Sequence, residues 1–231
     1  SETIKEMDCL ESLDLSTIKY SKNKLATIAE LKNLVELRLD FTPFEDGHVS
    51  TLSSLSNLGT LWLLYTAITN KGLKNLSALK SVEHLVLKHT EITDAGIVHI
   101  GNFQSLKSLL LPSQITDRGF EEFAPQVMLL HLDASGTKIS NSGMNHIGKL
   151  EKLQSLYLND TEITDAGLET LTGLKDLKVL YLSGTGITDG SIEHLEKLKG
   201  LTFLEIRDTK LSDQGVTRLR EKIPECEIIS Q

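Results

Sequence analysis

Three side chains of the types that form hydrolase triads alternate along one short segment: His131, Asp133 and Ser135. Alternate residues of a strand share one face, and a triad needs its nucleophile, base and orienting acid within hydrogen-bond distance of one another. Side chains two residues apart on a strand diverge, however, and the surrounding sequence shows no nucleophile elbow and no oxyanion hole. The spacing therefore favours polar surface over catalysis, and the sequence predicts no catalytic residue.

Metal-ligand residue types also recur along the chain. His99, His146 and His194 occupy one position of a repeated pattern, but no carboxylate or thiolate recurs with the spacing of a zinc site. A regular series of Asp and Asn lacks the glycine-rich nonapeptide spacing of calcium-binding solenoids. Cys9 and Cys226 stand near opposite ends of the chain and form no C-x-x-C motif. We therefore predict no metal, no cofactor and two unpaired thiols.

An internal repeat determines where all of these residues lie. An L-x-x-L-x-L core recurs every 24 residues, with a single step of 23, and nine copies cover almost the whole chain. The cores begin at Leu10, Leu34, Leu58, Val82, Leu106, Leu129, Leu153, Leu177 and Leu201. The L-x-L alternation predicts a short strand with one buried face. Nine copies predict a solenoid, in which stacked units join their leucines into one core.

The rest of each unit follows a pattern as well. A Thr lies three residues after the last strand leucine, as at Thr161 and Thr185, and is predicted to satisfy backbone groups where the chain turns under the sheet. An Asp or Asn comes next, as at Asp165, and is predicted to cap a short helix. Apolar residues then recur at every third position, which predicts a short helix or 3-10 segment.

The phrase I-T-D-A-G-L, at 163–168 and with a final Ile at 92–97, resembles the leucine-rich-repeat superfamily. The similarity is closest to 24-residue bacterial relatives of its cysteine-containing subfamily, although Thr stands here at the usual Cys position. It implies an α/β fold, a curved right-handed solenoid with a parallel sheet on the concave side and short helices or 3-10 segments on the convex side, and a binding role. We expect one domain over 1–231, with a partial repeat at 1–9, nine strand units from Leu10 and a closing half-unit at 223–228.

The strand phase places the residue between the last two leucines of each core on the concave face. This column and its neighbours hold the only Trp and three of the four Tyr. A strand face in water normally carries polar side chains, so large outward aromatics indicate a binding surface. The predicted partner-binding residues form two clusters: Arg38, Phe41, Trp62, Leu64, Tyr65, His84, Val86, His89 and Leu110, and then Tyr157, Tyr181 and Phe203.

Several interpretations of these aromatics stay open. Cross-strand aromatic pairs stabilise strands, so the clusters could serve the sheet itself. As a binding surface, they favour a non-catalytic module that recognises a protein on its concave face, within a larger receptor, effector or scaffold. The alternative is a carbohydrate or small-ligand binder that stacks its ligand on Trp62, Tyr65, Tyr157 and Tyr181, although an open sheet lacks the pocket that small ligands favour. An enzyme comes third.

Charge restricts the partner. The net charge of −8 argues against a general affinity for nucleic acid or anionic membrane. At the predicted concave positions acids outnumber bases, which favours a basic or neutral protein surface. The acids are Asp14, Glu36, Asp40, Asp133, Asp160, Glu205 and Asp208, and the bases are Arg38, Lys88 and Arg207. No apolar run reaches the ~18 residues of a membrane span. The first ten residues lack the features of a secretory signal, so the compartment stays open between the cytoplasm and export with a removed signal.

The middle of the array is predicted to be irregular. Pro112 stands at a strand end and lacks the N–H group that a ladder would use. The next turn is one residue short, Ala124-Pro125 interrupts the following helical segment, and Ala134 replaces a core leucine. We expect a local change in twist or a weakened ladder between the units that begin at Leu106 and Leu129.

Overall fold

The computed structural model describes residues 9–19, 25–121 and 128–230 of the 231-residue chain. Contacts divide the chain into two compact units, Ser1–Pro112 and Ser113–Gln231. Within each unit, strands of three residues pair in parallel with the next strand along the chain. The expected single domain over 1–231 stays a prediction, and eight of the nine residues of the predicted partial repeat lie outside the described residues.

The strands of the first unit pair at the register that the repeat predicts. They are β1 (Ser12–Asp14), β2 (Glu36–Arg38), β3 (Thr60–Trp62), β4 (His84–Val86) and β5 (Ser108–Leu110). Residues 24 apart are partners, so that Leu37 pairs with Leu61 and Arg38 with Trp62. Pairing continues past the strand ends, because the amide of Phe41 donates to the carbonyl of Leu64 at 2.8 Å. One-residue slippage would expose every leucine, so the leucine spacing fixes this register.

The second unit has the same arrangement. Its strands are β6 (His131–Asp133), β7 (Ser155–Tyr157), β8 (Val179–Tyr181), β9 (Phe203–Glu205) and β10 (Glu227–Ile229). The last strand pairs with β9 through Ile228 and Leu204. The closing half-unit therefore forms a strand, with Cys226 buried just before it.

Short helical segments connect the strands, in both of the forms that the apolar spacing predicts. The 3-10 segments are Thr27–Glu30, Asp46–Leu52, Val98–Asn102, Glu169–Gly173 and Asp189–Ser191. The α-helices are Asn70–Leu76, Asp94–Ile97, Asp117–Glu121, Asn141–Ile147, Asp165–Leu168, Ile192–Leu195 and Asp213–Lys222. Their apolar residues pack with the strand leucines into the core; Leu73, Leu76 and Leu85 are fully buried. No helix in the described part of the chain is long and apolar enough to cross a lipid bilayer.

The threonines after the strands satisfy backbone carbonyls, as predicted. Thr161 Oγ1 donates to the carbonyl of Leu158 at 2.6 Å, and Thr185 Oγ1 donates to that of Leu182 at 2.6 Å. Both threonines are buried. A buried carbonyl without a partner costs free energy comparable to a lost hydrogen bond, so the repeated Thr supplies a donor that each turn needs.

The predicted N-cap role of the Asp and Asn residues is wrong. The cap is the preceding residue: Thr69 and Thr188 adopt extended backbone and accept hydrogen bonds from the amides of Lys71 and Gly190. The Asp or Asn occupies the first helical position and reaches sideways to the next repeat. Asp165 Oδ1 accepts from the amide of Thr188 at 2.7 Å, and Asp165 Oδ2 accepts from the hydroxyl of Thr188 at 2.5 Å.

An Asn at this position makes the equivalent pair of bonds. Asn141 Oδ1 accepts from the amide of Thr164 at 3.0 Å, and Asn141 Nδ2 donates to Thr164 Oγ1 at 2.8 Å. The glycine of the I-T-D-A-G-L phrase gives this side chain room, because a Cβ on Gly167 would lie 2.6 Å from Asn141 Oδ1. The phrase therefore encodes a sideways bridge to the next repeat and the space for the bridge from the repeat before.

The predicted irregularity between Leu106 and Leu129 stays a prediction. Ala124 and Pro125 lie outside the described residues, whereas Pro112 and Ala134 are buried. The small Ala134 is fully buried at its core position. The amide of Ala134 donates to the carbonyl of Tyr157 at 2.9 Å. The amide of Leu158 makes the equivalent hydrogen bond to the carbonyl of Tyr181 in the next repeat, also at 2.9 Å.

Candidate functional site

A cation and an indole ring occupy adjacent outward positions in the first unit. Here the outward face means the strand side opposite the buried leucines. Arg38 on β2 and Trp62 on β3 are register partners, and the Arg38 guanidinium carbon lies 4.3 Å from the centroid of the Trp62 ring. Arg38 Nη2 also donates to Asp40 Oδ2 at 3.2 Å. A guanidinium over an indole face is a cation–π contact, so Trp62 is held by its neighbour rather than free to rotate.

The Asp40 carboxylate beneath this pair is buried and belongs to the scaffold. Its Oδ1 accepts from the amide of Leu64 at 2.9 Å, and its exposed fraction is 3%. The sequence places Asp40 among the outward acids, but its charge is used within the protein. Leu64 itself is half-buried, beside the turn that follows β3.

Three rings form a continuous stack at the turns that follow β2, β3 and β4. The centroids of Phe41 and Tyr65 are 4.7 Å apart, and those of Tyr65 and His89 are 4.1 Å apart with the ring planes at 8°. The stack is open to solvent: Phe41 is 53% exposed and Tyr65 is 50% exposed. The ring spacing is close to the strand spacing of about 4.8 Å, because each repeat contributes one ring.

The backbone under this stack is strained. Phe41, Tyr65 and His89 have φ values of 57°, 54° and 57°. A side chain in this left-handed region costs roughly 1–2 kcal/mol per residue. The conformation belongs to the turn of the repeat, because Thr17, Asp160 and Asp208 share it and Gly136 and Gly184 occupy it in two other repeats. Stacking offsets part of this cost. The sequence predicted that the three rings share one column but not their backbone conformation. The signal that could have indicated it is the glycine that two other repeats carry at the same position, Gly136 and Gly184.

The other residues predicted in the first cluster differ in accessibility. His84 and Leu110 are half-buried at outward positions, as expected. Val86 also lies at an outward position, as the register partner of Trp62 and Leu110, but it is only 4% exposed. It therefore offers little free surface to a partner, because this short branched side chain lies between two larger register partners.

The second cluster lies within the second unit, on β7, β8 and β9. The rings of Tyr157 and Tyr181 stack with centroids 4.7 Å apart, and Tyr181 and Phe203 are 5.1 Å apart with the planes tilted by 32°. All three are half-buried. Burial raises the pKa of Tyr157 above its ordinary value, and the neighbouring Tyr181 and Asp133 raise it further. Tyr157 is therefore a neutral phenol at physiological pH.

These ring geometries bear on the carbohydrate alternative. A sugar stacks on the flat face of a ring, but in both clusters the facing rings cover each other. Free ring faces remain only at the ends of each stack.

The His, Asp and Ser residues considered above for catalysis and metal binding lie in separate turns and helices. Asp133 Oδ1 accepts a hydrogen bond from the amide of Ser135 at 2.9 Å, so this carboxylate holds the turn after β6. His146 and His194 lie in the last turns of helices of separate repeats. Within the described ranges, no three His, Cys, Asp or Glu side chains are grouped closely enough to hold a metal ion.

The parallel strands, the 24-residue register and the helical connections define a leucine-rich-repeat solenoid. Family models for the leucine-rich repeat match residues 78–101 and 151–211. Both matches are to leucine-rich-repeat models, and the fold of the described residues agrees with them. A search of curated proteins finds no match.

Solved structures with this fold include an internalin and a plant receptor. An internalin (inlF) from Listeria monocytogenes str. 4b F2365 aligns with a TM-score of 0.65 at 21% identity, over 89% of this chain and 64% of the internalin chain. The plant peptide hormone receptor RGFR1, solved in complex with RGF2, aligns with a TM-score of 0.54 at 19% identity, over 97% of this chain and 36% of the receptor chain. This chain thus spans less than two thirds of either protein, and at these identities the likeness is one of fold.

Proposed function

We propose that this chain is a non-catalytic module that binds a protein partner on the outward face of its sheet. The observation that carries the proposal is the exposed stack of Phe41, Tyr65 and His89. Contiguous exposed apolar groups mark interaction sites, and here three successive repeats each contribute one exposed ring.

The arrangement beside the stack fits a protein interface. Trp62 and Arg38 are residue types enriched at binding hot spots. They lie next to the stack on rigid strands, so little conformational entropy would be lost when a partner binds. The wider surface, with Leu64, His84 and Leu110, combines apolar centre and polar edge as protein interfaces do.

The comparisons agree with this proposal at the level of fold. The plant peptide hormone receptor RGFR1, part of which has this fold, was solved in complex with RGF2. We infer that the present repeats are of the 24-residue bacterial type related to the cysteine-containing subfamily. The support is the I-T-D-A-G-L phrase, with Thr in place of Cys.

The test is selection followed by substitution. A displayed random-peptide library is selected against the 231-residue protein, and the dissociation constants of the enriched peptides are measured. Trp62→Ala is expected to weaken peptides that occupy the first cluster by roughly 2 kcal/mol, the scale of a hot spot. Lys175→Ala, at an exposed position between the helical segment and β8, is the control and is expected to have no effect.

Thermal unfolding of the same variants separates binding from sheet packing. Trp62→Ala removes an outward ring and leaves the leucine core intact, so its melting temperature is expected to fall far less than that of Leu61→Ala, which opens a cavity in the core. A large drop in melting temperature with unchanged affinity would assign Trp62 to sheet packing. Peptides that respond only to substitutions on the helical side would overturn the proposed face.

A further inference from the structure

Four residues of the second unit form one row across the sheet. Asp133, Tyr157, Tyr181 and Glu205 are successive register partners on β6 to β9. A carboxylate thus stands at each end of the row, with the two stacked phenol rings between them. Three strand spacings of about 4.8 Å separate the end residues by about 14 Å.

Both end carboxylates are oriented by the sheet beneath them. Asp133 Oδ1 accepts from the amide of Ser135 at 2.9 Å, and Glu205 Oε1 accepts from the hydroxyl of Ser183 at 2.9 Å. A carboxylate has about four acceptor positions, so internal hydrogen bonds can fix its direction while it still accepts from a donor outside. Fixed acceptors bind a cation with less entropy loss than mobile ones.

The charge around the row is strongly one-sided. Outward positions and exit turns of β6 to β10 carry the carboxylates of Asp133, Asp160, Glu205, Asp208 and Glu227. On the same described strands and turns the fully charged base is Arg207, which lines a recess at the C-terminal end with Asp213 and Arg220. A positively charged partner is therefore attracted to this face, and an acidic one is repelled.

We propose that the Asp133–Glu205 row binds an extended basic peptide segment of a protein partner, with two Arg or Lys side chains four positions apart and an apolar side chain midway. The spacing follows from geometry. An extended chain rises about 3.3–3.4 Å per residue, so positions i and i+4 are about 13–14 Å apart, and i, i+2 and i+4 point to the same side. The outer two side chains reach the carboxylates, and the central one lies on the tyrosine edges.

This inference rests on the proposed function, because it assumes that the outward face is the binding face. It goes further in assigning a charge pattern and a spacing to the segment that the second unit recognises. The first unit offers no equivalent row: at the corresponding positions β2 to β5 carry Arg38, Trp62, Val86 and Leu110.

The test uses synthetic peptides of nine residues in fluorescence anisotropy with the 231-residue protein. The first has two arginines four positions apart, a leucine midway and glycine or serine elsewhere. The second has the arginines three positions apart, so that they point to opposite sides of an extended chain. The third has glutamates in place of the arginines. We expect the first to bind at least tenfold tighter than the second, and the third not to bind.

Two conservative variants locate the contact. Asp133→Asn and Glu205→Gln keep the oxygen that accepts the internal hydrogen bond but remove the charge. Each is expected to weaken the first peptide about tenfold, the effect of losing one charge-assisted hydrogen bond. The matched control is Glu169→Gln, which removes an exposed charge from the helical side.

The outcomes separate this inference from the proposed function. Equal binding of the first two peptides, or equal loss with Glu169→Gln, would show nonspecific charge attraction and overturn the spacing. No binding of the first peptide, together with library-selected peptides that respond to Tyr181→Ala, would overturn the basic-segment inference and leave the face as a binding surface. Selected peptides that respond to neither cluster would overturn the proposed function.

Discussion

At the residue scale, the two cysteines have opposite environments. Cys9 is exposed, whereas Cys226 is 8% exposed at the start of the closing strand. Burial raises the pKa of the Cys226 thiol to about 11, and the nearby Glu227 adds to the shift. The thiolate is the reactive form, so at neutral pH only a very small fraction of Cys226 is nucleophilic.

We therefore expect alkylation of one cysteine in the folded protein. Iodoacetamide at about pH 8 should label the exposed Cys9 and leave the buried Cys226 unmodified in peptide mass spectrometry. Unfolding in urea should expose Cys226 to labelling. A Cys9–Cys226 disulfide, or equal labelling of both in the native state, would contradict the environments seen here.

The backbone conformation of the strained turn residues could not be predicted from the sequence. The strand phase predicted that Phe41, Tyr65 and His89 share a column. Their positive φ values depend on how each turn closes against the next repeat, which no single segment of sequence encodes. The burial of Val86 has a similar origin, because it depends on the sizes of residues on neighbouring strands.

At the scale of the repeat element, a substitution can test whether the space beside Gly167 is needed for the Asn141 side chain. Gly167→Ala would place a methyl group against Asn141 Oδ1 and disturb the pair of hydrogen bonds between Asn141 and Thr164. We expect a loss of about 2 kcal/mol in the free energy of unfolding, from steric overlap and weakened hydrogen bonds. Urea denaturation measures it.

The same repeat contains a control for this substitution. Gly173 has open space where a Cβ would stand. Gly173→Ala is expected to leave stability unchanged or raise it slightly, because alanine reduces the conformational entropy of the unfolded chain. If both substitutions had the same effect, the space beside Gly167 would have no role in joining repeats.

The sideways bridges also predict how stability depends on pH. The Ser212 hydroxyl, and then its amide, donate to Asp189 and lower the pKa of that carboxyl below its ordinary value of 3.8. A carboxyl with a lowered folded pKa contributes stability above its unfolded pKa. That contribution is lost as the pH falls through the folded value, so the window lies below 3.8.

Asp189→Asn should remove this part of the pH dependence. Asn70 and Asn141 make the equivalent bridge in other repeats without a titrating group. We expect wild type and variant to have similar urea midpoints near neutral pH, and the wild type alone to lose the Asp189 contribution below about pH 4. Parallel pH profiles for the two proteins would show that this bridge does not titrate with folding.

At the scale of the whole molecule, stability in a stack of repeats depends on nearest neighbours. Leu13 on β1 is half-exposed, whereas Leu37 on β2 is fully buried. We therefore expect the amides of Leu15 and Thr17, which donate to the carbonyls of Arg38 and Asp40, to exchange with deuterium faster than the equivalent amides of Leu39 and Phe41. Equal protection of the two pairs would show that β1 is as stable as the interior strands.

The fold was predictable from the sequence because it rests on a distance of 24 residues between leucines. That spacing alone determines the strand phase, the register and the buried face. The role of Asp165 was not predictable in the same way, since its partner Thr188 lies 23 residues ahead and local capping explains an Asp equally well. The two aromatic clusters were predicted as groups, whereas their ring-on-ring geometry follows from side-chain packing across repeats.

The sideways bridge has a consequence for how such an array can lengthen. Each repeat that contains the I-T-D-A-G-L phrase carries both the Asp side chain that bonds to the next repeat and the glycine that leaves room for the Asp or Asn side chain of the previous repeat. A tandem copy of such a repeat therefore brings its own matching parts to both new junctions. Duplication of a whole repeat therefore needs no compensating substitution at this bridge.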